Sequence, residues 1–251
     1  MTGPFISIIM PAYNSERFIA DAIRSLLSQT GVSVEVIVVS DGSTDGTERI
    51  VTTLAAEDAR IRFLGEPHRG VAVARNVGLA AVKADFITFL DSDDLCAPGR
   101  LQLQVRRLLA NDSIDAVIGD MVLFDIAGAD GVPAPNARTI RLTGASLTTV
   151  LFRRRILLKI GFCDEAFPYG EDIDLLLRMW ESRAVLDFDG EIAVYYRRHD
   201  MNMTNDKQAV TRFVLQALHR SLTRRRQAGN FEPLPPIFAR RKKAEAKFGH
   251  G

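Results

Sequence analysis

Short apolar runs alternate with amphipathic stretches along the first half of the chain. The runs are rich in Ile, Val and Phe, as in strands buried on both faces; they lie at 5–10, 34–39, 61–64 and 86–90. In the stretches between them apolar residues recur every three or four positions, which predicts helices; these lie at 18–27, 48–54, 71–82 and 98–109. The alternation predicts an α/β fold in which a mainly parallel, twisted sheet carries helices on both faces.

Two of the predicted helices begin with capping signals. Asn14 or Ser15 is expected to cap the first helix. Asp45 and Glu48 have the spacing of a capping box before the second helix. The carboxyl ends of the strands, just before these helices, are where ligands bind in such sheets.

The pattern changes after Asp115. Strands are predicted at 116–124, 185–188 and 192–196, and a helix is predicted from Glu171 onward. A further helical stripe at 209–222 precedes a Pro-rich segment at 232–236 and a basic run at 240–243. No repeat or linker interrupts the chain before about residue 205, so we expect a two-part domain over 1–205 and a basic helical tail over 206–251.

The composition is that of a globular protein and excludes several classes. Lys and Arg total 32 against 31 Asp and Glu, a balance that argues against a nucleic-acid-binding protein. Two cysteines, Cys96 and Cys163, are too few for a disulfide framework and suit a reducing compartment. No apolar run approaches the roughly 18 residues that span a bilayer, and the first residues lack the pattern of a secretory signal. We therefore expect a cytoplasmic protein.

Charge is distributed unevenly along the chain. Residues 206–251 hold 11 Lys and Arg and 3 Asp and Glu, a net charge of +8, so the first 205 residues carry −7. A basic tail on an acidic body is consistent with a solvated extension, with a helix that packs on the domain or forms a homodimer, or with peripheral contact to an anionic membrane at its inner face.

Three carboxylates follow the fourth predicted strand, in the sequence Asp91-Ser92-Asp93-Asp94. Carboxylates this close raise one another's pKa unless a cation neutralises them, and oxygen ligands at this density suit Mg²⁺ or Mn²⁺. An acidic turn that caps a helix is the simpler alternative, although capping needs only one carboxylate. The spacings of a calcium-binding EF-hand, a P-loop and a dinucleotide-binding glycine motif are absent from the sequence.

The polar segments at the strand ends, taken in order, resemble family 2 glycosyltransferases. The resemblance covers about residues 5–205 and is carried by these segments: SIIMPAYN at 7–14, VIVVSDGSTD at 36–45, GVAVARNVG at 70–78, FLDSDD at 89–94, FPYGEDID at 167–174 and YRRH at 196–199. It implies a fold of the GT-A type, in which a nucleotide-binding half, here 1–114, joins an acceptor-binding half, here 115–205. One departure is Cys163 within Gly161-Phe162-Cys163, which affects no expected catalytic residue.

The resemblance also implies roles for individual residues. Tyr13 would lie beside the nucleotide base, and Asp41 would accept the N3–H of uracil. Asp93 would be the preferred metal ligand and Asp91 a second one, with Asp91 nearer the ribose or the sugar. The expected donor-binding residues are Pro11, Ala12, Tyr13, Asn14, Asp41, Arg75, Asp91, Ser92 and Asp93.

The reaction of this family needs a base and a cation. An acceptor hydroxyl loses its proton as it attacks the anomeric carbon, and a divalent ion offsets charge on the departing diphosphate. Asp172 matches the family's base, with Glu171 as a secondary candidate; an acidic first helical turn alone would also account for both. His199 is a weaker metal-ligand candidate, and Arg198 a candidate phosphate contact.

The expected function is that of an inverting, metal-dependent glycosyltransferase. The donor would be a nucleoside diphosphate sugar, with uridine the expected base, and Mn²⁺ or Mg²⁺ the cofactor. The acceptor would be a glycan or a lipid-linked molecule in the synthesis of cell-surface polysaccharide or glycolipid; neither sugar nor acceptor is identified by any motif. The alternatives are a sugar-nucleotide-binding protein without turnover and a nucleotidyltransferase, although the Gly-rich basic loop typical of the latter is missing after the first strand.

Overall fold

The computed structural model describes residues 3–128, 132–144, 146–230, 232 and 241–242. Its strands are β1 (Phe5–Ala12), β2 (Ser33–Asp41), β3 (Ile61–Glu66), β4 (Phe86–Phe89), β5 (Leu95–Cys96), β6 (Ala116–Phe124), β7 (Thr139–Thr143), β8 (Val150–Arg153), β9 (Leu186–Arg197) and β10 (Arg241–Lys242). Its α-helices are α1 (Ile19–Leu27), α2 (Thr47–Glu57), α3 (Val71–Ala81), α4 (Arg100–Ala110), α5 (Arg154–Ile160), α6 (Glu171–Glu181) and α7 (Lys207–Gln227).

The strands form a mixed sheet with a parallel half. Its order is β10-β7-β6-β8-β4-β1-β2-β3, and β4, β1, β2 and β3 run parallel. Ala12 at the end of β1 pairs with Ser40 in β2, and Ile9 pairs with Phe89 at the end of β4. The loops that follow these three strands therefore open at one edge of the sheet.

The antiparallel half carries the second group of polar residues to the same edge. Strand β9 runs parallel to β6 along its length, with an irregularity near Asp120, and pairs antiparallel with the short strand β5. In that pairing Leu95 faces Tyr195. The acidic run that precedes β5 consequently lies beside the segment that follows β9.

Apolar residues pack on both faces of the sheet, as the continuous apolar runs predict. One cluster joins Ile8, Ile23 and Leu101 beneath α1 and α4, and the other joins Ile9, Phe89 and Leu176 beneath α3 and α6. Helix α3 approaches β1 so closely that a Cβ on Gly78 would overlap the side chain of Ile9.

Several local predictions were wrong in detail. Phe18, and not Asn14 or Ser15, precedes the first residue of α1. The side chain of Asn14 accepts a hydrogen bond from Thr44 N, and Ser15 Oγ donates to Tyr13 O, so neither caps the helix. Asp45 accepts from Thr47 N, but Glu48 accepts from Ser40 Oγ, so the capping box does not form. The strands predicted at 185–188 and 192–196 are one strand, β9.

Helix α7 packs against α6. Phe167, Leu177 and Ala217 form a small apolar cluster between them. Arg224 of α7 pairs with Asp174 (2.9 Å) and Glu181 (2.7 Å) of α6. The Pro-rich segment and the basic run predicted after α7 lie mostly outside the described residues. Among the helices that the structure describes, none is long and apolar enough to cross a membrane.

Candidate functional site

Polar side chains from both halves of the sheet meet at the carboxyl ends of β1, β2 and β4. The buried guanidinium of Arg75, on α3, lies at the centre of this group. Its Nη2 donates to Asp91 Oδ1 (2.8 Å), and its Nη1 forms an ion pair with Glu171, the first residue of α6. The Arg75 and Glu171 side chains are each only 6% exposed, so this contact ties α6 to the acidic run.

The environment of Asp91 disfavours the ionised form of its carboxylate. Burial raises the pKa of Asp91, and repulsion by Asp93 and Asp172 raises it further, whereas Arg75 lowers it; the net shift is upward. The repulsion also shows that Asp172, on α6, lies within electrostatic reach of the acidic run. A cation bound at this site would lower the pKa of Asp91.

Asp93 lies against the segment that follows β9. Its Oδ2 contacts His199 Nε2 (2.9 Å) and Asn202 Nδ2 (3.3 Å), and its main-chain carbonyl accepts from Arg197 Nε (3.0 Å). Met201 N donates to His199 Nδ1 (3.2 Å), which leaves the ring hydrogen on Nε2, directed at Asp93. The ring of His199 packs on Phe18 at 4.4 Å.

Ser92 and Asp94 contact other groups than Asp93 does through its carboxylate. Ser92 Oγ lies 2.7 Å from Ser15 Oγ and is buried. Asp94 is fully buried and accepts from Arg197 N (3.0 Å). Burial, with the charges of Asp93 and Asp91, raises the pKa of Asp94 well above its usual value.

Asp41 is buried at the end of β2 and holds the loop before α3. Its carboxylate accepts from Arg69 N (2.7 Å) and Gly70 N (2.9 Å). His68 Nδ1 lies 3.0 Å from Asp41 Oδ2. The ring of His68 is stacked on that of Tyr13, with 4.3 Å between centroids.

The remaining residues expected at the nucleotide edge are structural or exposed. Pro11 and Ala12 are buried within β1, and Tyr13 extends from its end, 47% exposed. Asn14, with a φ of 48°, joins this loop to the loop after β2 through Thr44 N (2.8 Å). The Arg198 side chain is exposed, and its main-chain N–H donates to Phe124 O.

The two acidic residues at the start of α6 differ in environment. Glu171 is buried in its ion pair with Arg75, so its carboxylate is already engaged. Asp172 is half-buried, and its Oδ1 accepts from Ile173 N (2.8 Å). Of the two, Asp172 is the carboxylate that is available to a substrate.

The donor groups at Asp93 fit a divalent cation that is shared with a substrate. Among the residues that the structure describes, no three His, Cys, Asp or Glu side chains converge as a protein-only metal site. Mg²⁺ is commonly held by one or two carboxylates together with substrate phosphates and water. The carboxylate of Asp93, with the imidazole of His199 beside it, suits that kind of site. Asp91 suits it as well, because a bound cation would stabilise the ionised form of its carboxylate.

Three residues of this site were not predicted as such: His68, Asn202 as a partner of Asp93, and Glu171 as a partner of Arg75. Each depends on a contact between segments 27 to 109 positions apart. No local sequence pattern predicts such a contact. The only local signal is that His68 directly precedes Arg69 and Gly70, the two residues before α3.

Sequence comparison identifies the family. The model of "Glycosyl transferase family 2" matches residues 7–167, more than half of the chain. The chain therefore belongs to glycosyltransferase family 2. An uncharacterized glycosyltransferase of Haemophilus influenzae is 39% identical over 129 residues, which are 51% of each protein. One from Rickettsia felis is 32% identical over 212 residues, 78% of this chain and 34% of that protein. The chain thus spans a half to a third of these relatives.

Solved structures of low sequence identity share the fold. Staphylococcus aureus TarS in complex with UDP-GlcNAc superposes with a TM-score of 0.62, at 21% identity, over 81% of this chain and 61% of that one. The mannosyltransferase PcManGT of Pyrobaculum calidifontis, in complex with GDP-Man and Mn²⁺, gives a TM-score of 0.67 at 16% identity, over 95% of this chain and 68% of that one. The expected GT-A fold, with its mainly parallel sheet, is confirmed.

Proposed function

We propose that the chain transfers a glycosyl group from a nucleoside diphosphate sugar, with uridine as the base, to an acceptor hydroxyl. The observation that carries the proposal is the Arg75 contact, since one guanidinium holds both Asp91 and the residue next to Asp172. A donor-binding carboxylate and a free carboxylate from the other half of the sheet are thereby kept close together.

The nucleotide would bind at the edge formed by β1 and β2. The exposed ring of Tyr13 offers a stacking surface for the base, and the buried carboxylate of Asp41 offers an acceptor for an N–H group. A buried acceptor discriminates strongly against a base that lacks the matching donor, because its hydrogen bond would be left unmade. These features support the choice of uridine.

Asp93, with Asp91 and His199, would hold Mn²⁺ or Mg²⁺. When bound, the ion offsets the negative charge that develops on the departing diphosphate. In the structure His199 Nε2 donates a hydrogen bond to Asp93. To bind the ion through Nε2, His199 would first have to lose the hydrogen on that atom. Asp93 is therefore the ligand on which the proposal mainly depends.

Asp172 would accept the proton of the acceptor hydroxyl. It lies in the first turn of α6, where the helix dipole interacts favourably with a negative charge. A direct attack on the side of the sugar opposite the diphosphate inverts the anomeric configuration. The charge of Arg75 between Asp91 and Asp172 reduces their mutual repulsion before a substrate binds.

The partners of the whole protein follow from the same proposal. The acceptor would be a glycan or a lipid-linked molecule used for cell-surface polysaccharide or glycolipid. Residues 1–114 would bind the donor, and 115–205 would bind the acceptor. The segment over 206–251 would add a helix to the acceptor half, since α7 packs directly against α6. Its outer face remains available for a dimer or an anionic membrane.

The test is a panel of nucleotide sugars with Mn²⁺, scored for slow hydrolysis of the donor, since that reaction needs no acceptor. Binding is measured in parallel by thermal shift, because a ligand of the folded state raises the melting temperature by mass action. We expect UDP with Mn²⁺ to raise the melting temperature more than UDP with EDTA. The absence of any shift with millimolar UDP, GDP or ADP would contradict the proposal.

Two substitutions separate binding from transfer. Asp93→Asn should remove the Mn²⁺-dependent part of the shift. Asp172→Asn should leave that shift nearly intact and lower turnover by about 10²-fold or more, the usual contribution of a general base. Asp200→Asn, on an exposed carboxylate in the neighbouring loop, is the matched control and should change neither. Full turnover by the Asp172 variant would overturn its assignment as the base.

A further inference from the structure

The side chain of His68 satisfies both groups that are proposed to bind the base. Its imidazole ring is stacked on Tyr13, with 4.3 Å between centroids and 25° between planes. Its Nδ1 lies 3.0 Å from Asp41 Oδ2 and 3.0 Å from Asp41 O. Neither a carboxylate oxygen nor a carbonyl oxygen donates, so Nδ1 carries the hydrogen. A flat ring thus presents an N–H to Asp41 while it stacks on Tyr13.

This arrangement closes Asp41 to solvent. The Asp41 side chain is 6% exposed, whereas that of His68 is 58% exposed. The other hydrogen bonds to the carboxylate come from Arg69 N and Gly70 N, which lie beneath it in the loop before α3. His68 is therefore the outer cover of Asp41, and a ligand reaches that carboxylate only after the imidazole has moved.

Rotation of the side chain is the movement that the loop allows. The backbone at 69–70 is held by Asp41. Gly42, with a φ of 69°, packs so tightly on His68 that an added Cβ would lie 2.7 Å from His68 N. The backbone of His68 is thus fixed on both sides, while its exposed ring is free to turn toward solvent.

We infer that His68 is a built-in competitor of the nucleotide base, which occupies the place of the base at Tyr13 and Asp41 until the base displaces it. The inference rests on the proposed function. Uracil offers a ring to Tyr13 and an N–H to Asp41, so it restores both contacts that His68 gives up. Cytosine has the same ring size, but its N3 is an acceptor, so it cannot restore the hydrogen bond to Asp41.

The cost of moving His68 is the same for every base. A base that enters the site has to break the stack and the hydrogen bond of the imidazole, whatever it then offers to Asp41. The affinity of each nucleotide is therefore lowered by one common factor, which is set by the fraction of molecules in which the imidazole has moved away. The preference between bases comes from the hydrogen bond to Asp41 and not from His68.

The experiment measures the dissociation constants of UDP and CDP by calorimetry, with Mn²⁺ present, for the full chain and its His68→Ala variant. We expect His68→Ala to bind UDP about threefold to thirtyfold more tightly, since an internal hydrogen bond and stack no longer have to be broken. CDP should gain by about the same factor, because it has to displace the same imidazole, so that the ratio of the two constants stays unchanged. His219→Ala, an exposed histidine on α7, is the matched control and should leave both constants unchanged.

A second variant tests the two contacts separately. His68→Asn keeps an N–H that can reach Asp41 but has no ring to stack, so its affinity for UDP should lie between those of the other two proteins. UDP binding by His68→Ala that is equal to or weaker than that of the unchanged chain would overturn the inference while leaving the proposed function standing. A gain for UDP with none for CDP would overturn the assignment of His68 as a competitor that every base has to displace. No binding of any nucleoside diphosphate to either protein would refute the proposed function itself, and the inference with it.

Discussion

Asp94 is the most deeply buried carboxyl group of the acidic run after β4. Its Oδ1 accepts from Arg197 N, but within the part of the chain that the structure describes no donor lies within hydrogen-bond distance of Oδ2. Burial is the main cause of its raised pKa, and repulsion by Asp93 and Asp91 adds to it. Without a bound cation, the folded state therefore favours the protonated form of Asp94.

This environment gives the stability of the protein a particular pH dependence at Asp94. The folded pKa lies above the usual value of 3.8, so the stabilising contribution of the protonated form is complete below that value and is lost as pH rises through the folded pKa. Asp94→Asn cannot ionise and keeps the acceptor for Arg197 N. Its free energy of unfolding, relative to that of the unchanged chain, should be higher at about pH 8 than at about pH 5. Urea unfolding with EDTA at both pH values measures this, and an equal difference at the two pH values would contradict it.

At the scale of elements, the site depends on one contact between α3, the acidic loop and α6. The buried Arg75 brings together Asp91 and Glu171, which are 80 positions apart in the chain. A buried charge that loses its partner is strongly destabilising, because its desolvation is no longer compensated. The start of α6, and with it Asp172, is therefore held by electrostatics as well as by apolar packing.

Removal of this guanidinium should weaken both the fold and the reaction. Arg75→Ala leaves the buried carboxylate of Glu171 and the partly exposed carboxylate of Asp91 without their cation, so we expect a loss of about 3–5 kcal/mol in the free energy of unfolding. Arg69→Ala, in the same region, removes an exposed arginine that lies 3.7 Å from Glu165 and should change stability by less than about 0.5 kcal/mol. Urea unfolding of both variants is the measurement; similar losses would show that the burial of the ion pair is unimportant.

At the scale of the whole molecule, α7 extends the domain beyond the segment that the family model matches. Asp174 of α6 is 2% exposed and is paired with Arg178 (2.8 Å) from its own helix and with Arg224 from α7. Arg220 of α7 forms an ion pair with Asp164 and lies over the ring of Phe167 at 4.5 Å. Part of the positive charge of the tail thus compensates acidic groups of the body, and that part is not free for an external partner.

The two sides of α7 should respond differently to the loss of charge. Arg224→Ala removes the contacts to Asp174 and Glu181, and the free energy of unfolding should fall by about 1–2 kcal/mol, a value reduced by the partial exposure of Arg224. Arg226→Ala, two positions along on the exposed side, should have an effect below about 0.5 kcal/mol. Thermal and urea unfolding compare them, and equal effects would mean that the ion pairs with α6 contribute nothing measurable.

The sequence alone determined the alternation of strands and helices in the first 110 residues and the identity of the polar residues at the strand ends. These follow from local regularities, since apolar periodicity reflects burial along one element and a strand end is marked by the residues next to it. The same reasoning missed β7, β8 and α5, where the apolar pattern is short or interrupted. It also divided β9 in two at Gly190, because an irregular strand with a glycine has the pattern of a turn.

Only the tertiary structure decided which polar residues act on one another. The pairing of β5 with β9 brings His199 and Asn202 to Asp93. The parallel order of β1, β2 and β3 brings His68, which follows β3, to both Tyr13 and Asp41. Such contacts depend on the register between strands far apart in the chain, and register is set by the packing of the whole sheet rather than by any neighbouring residues.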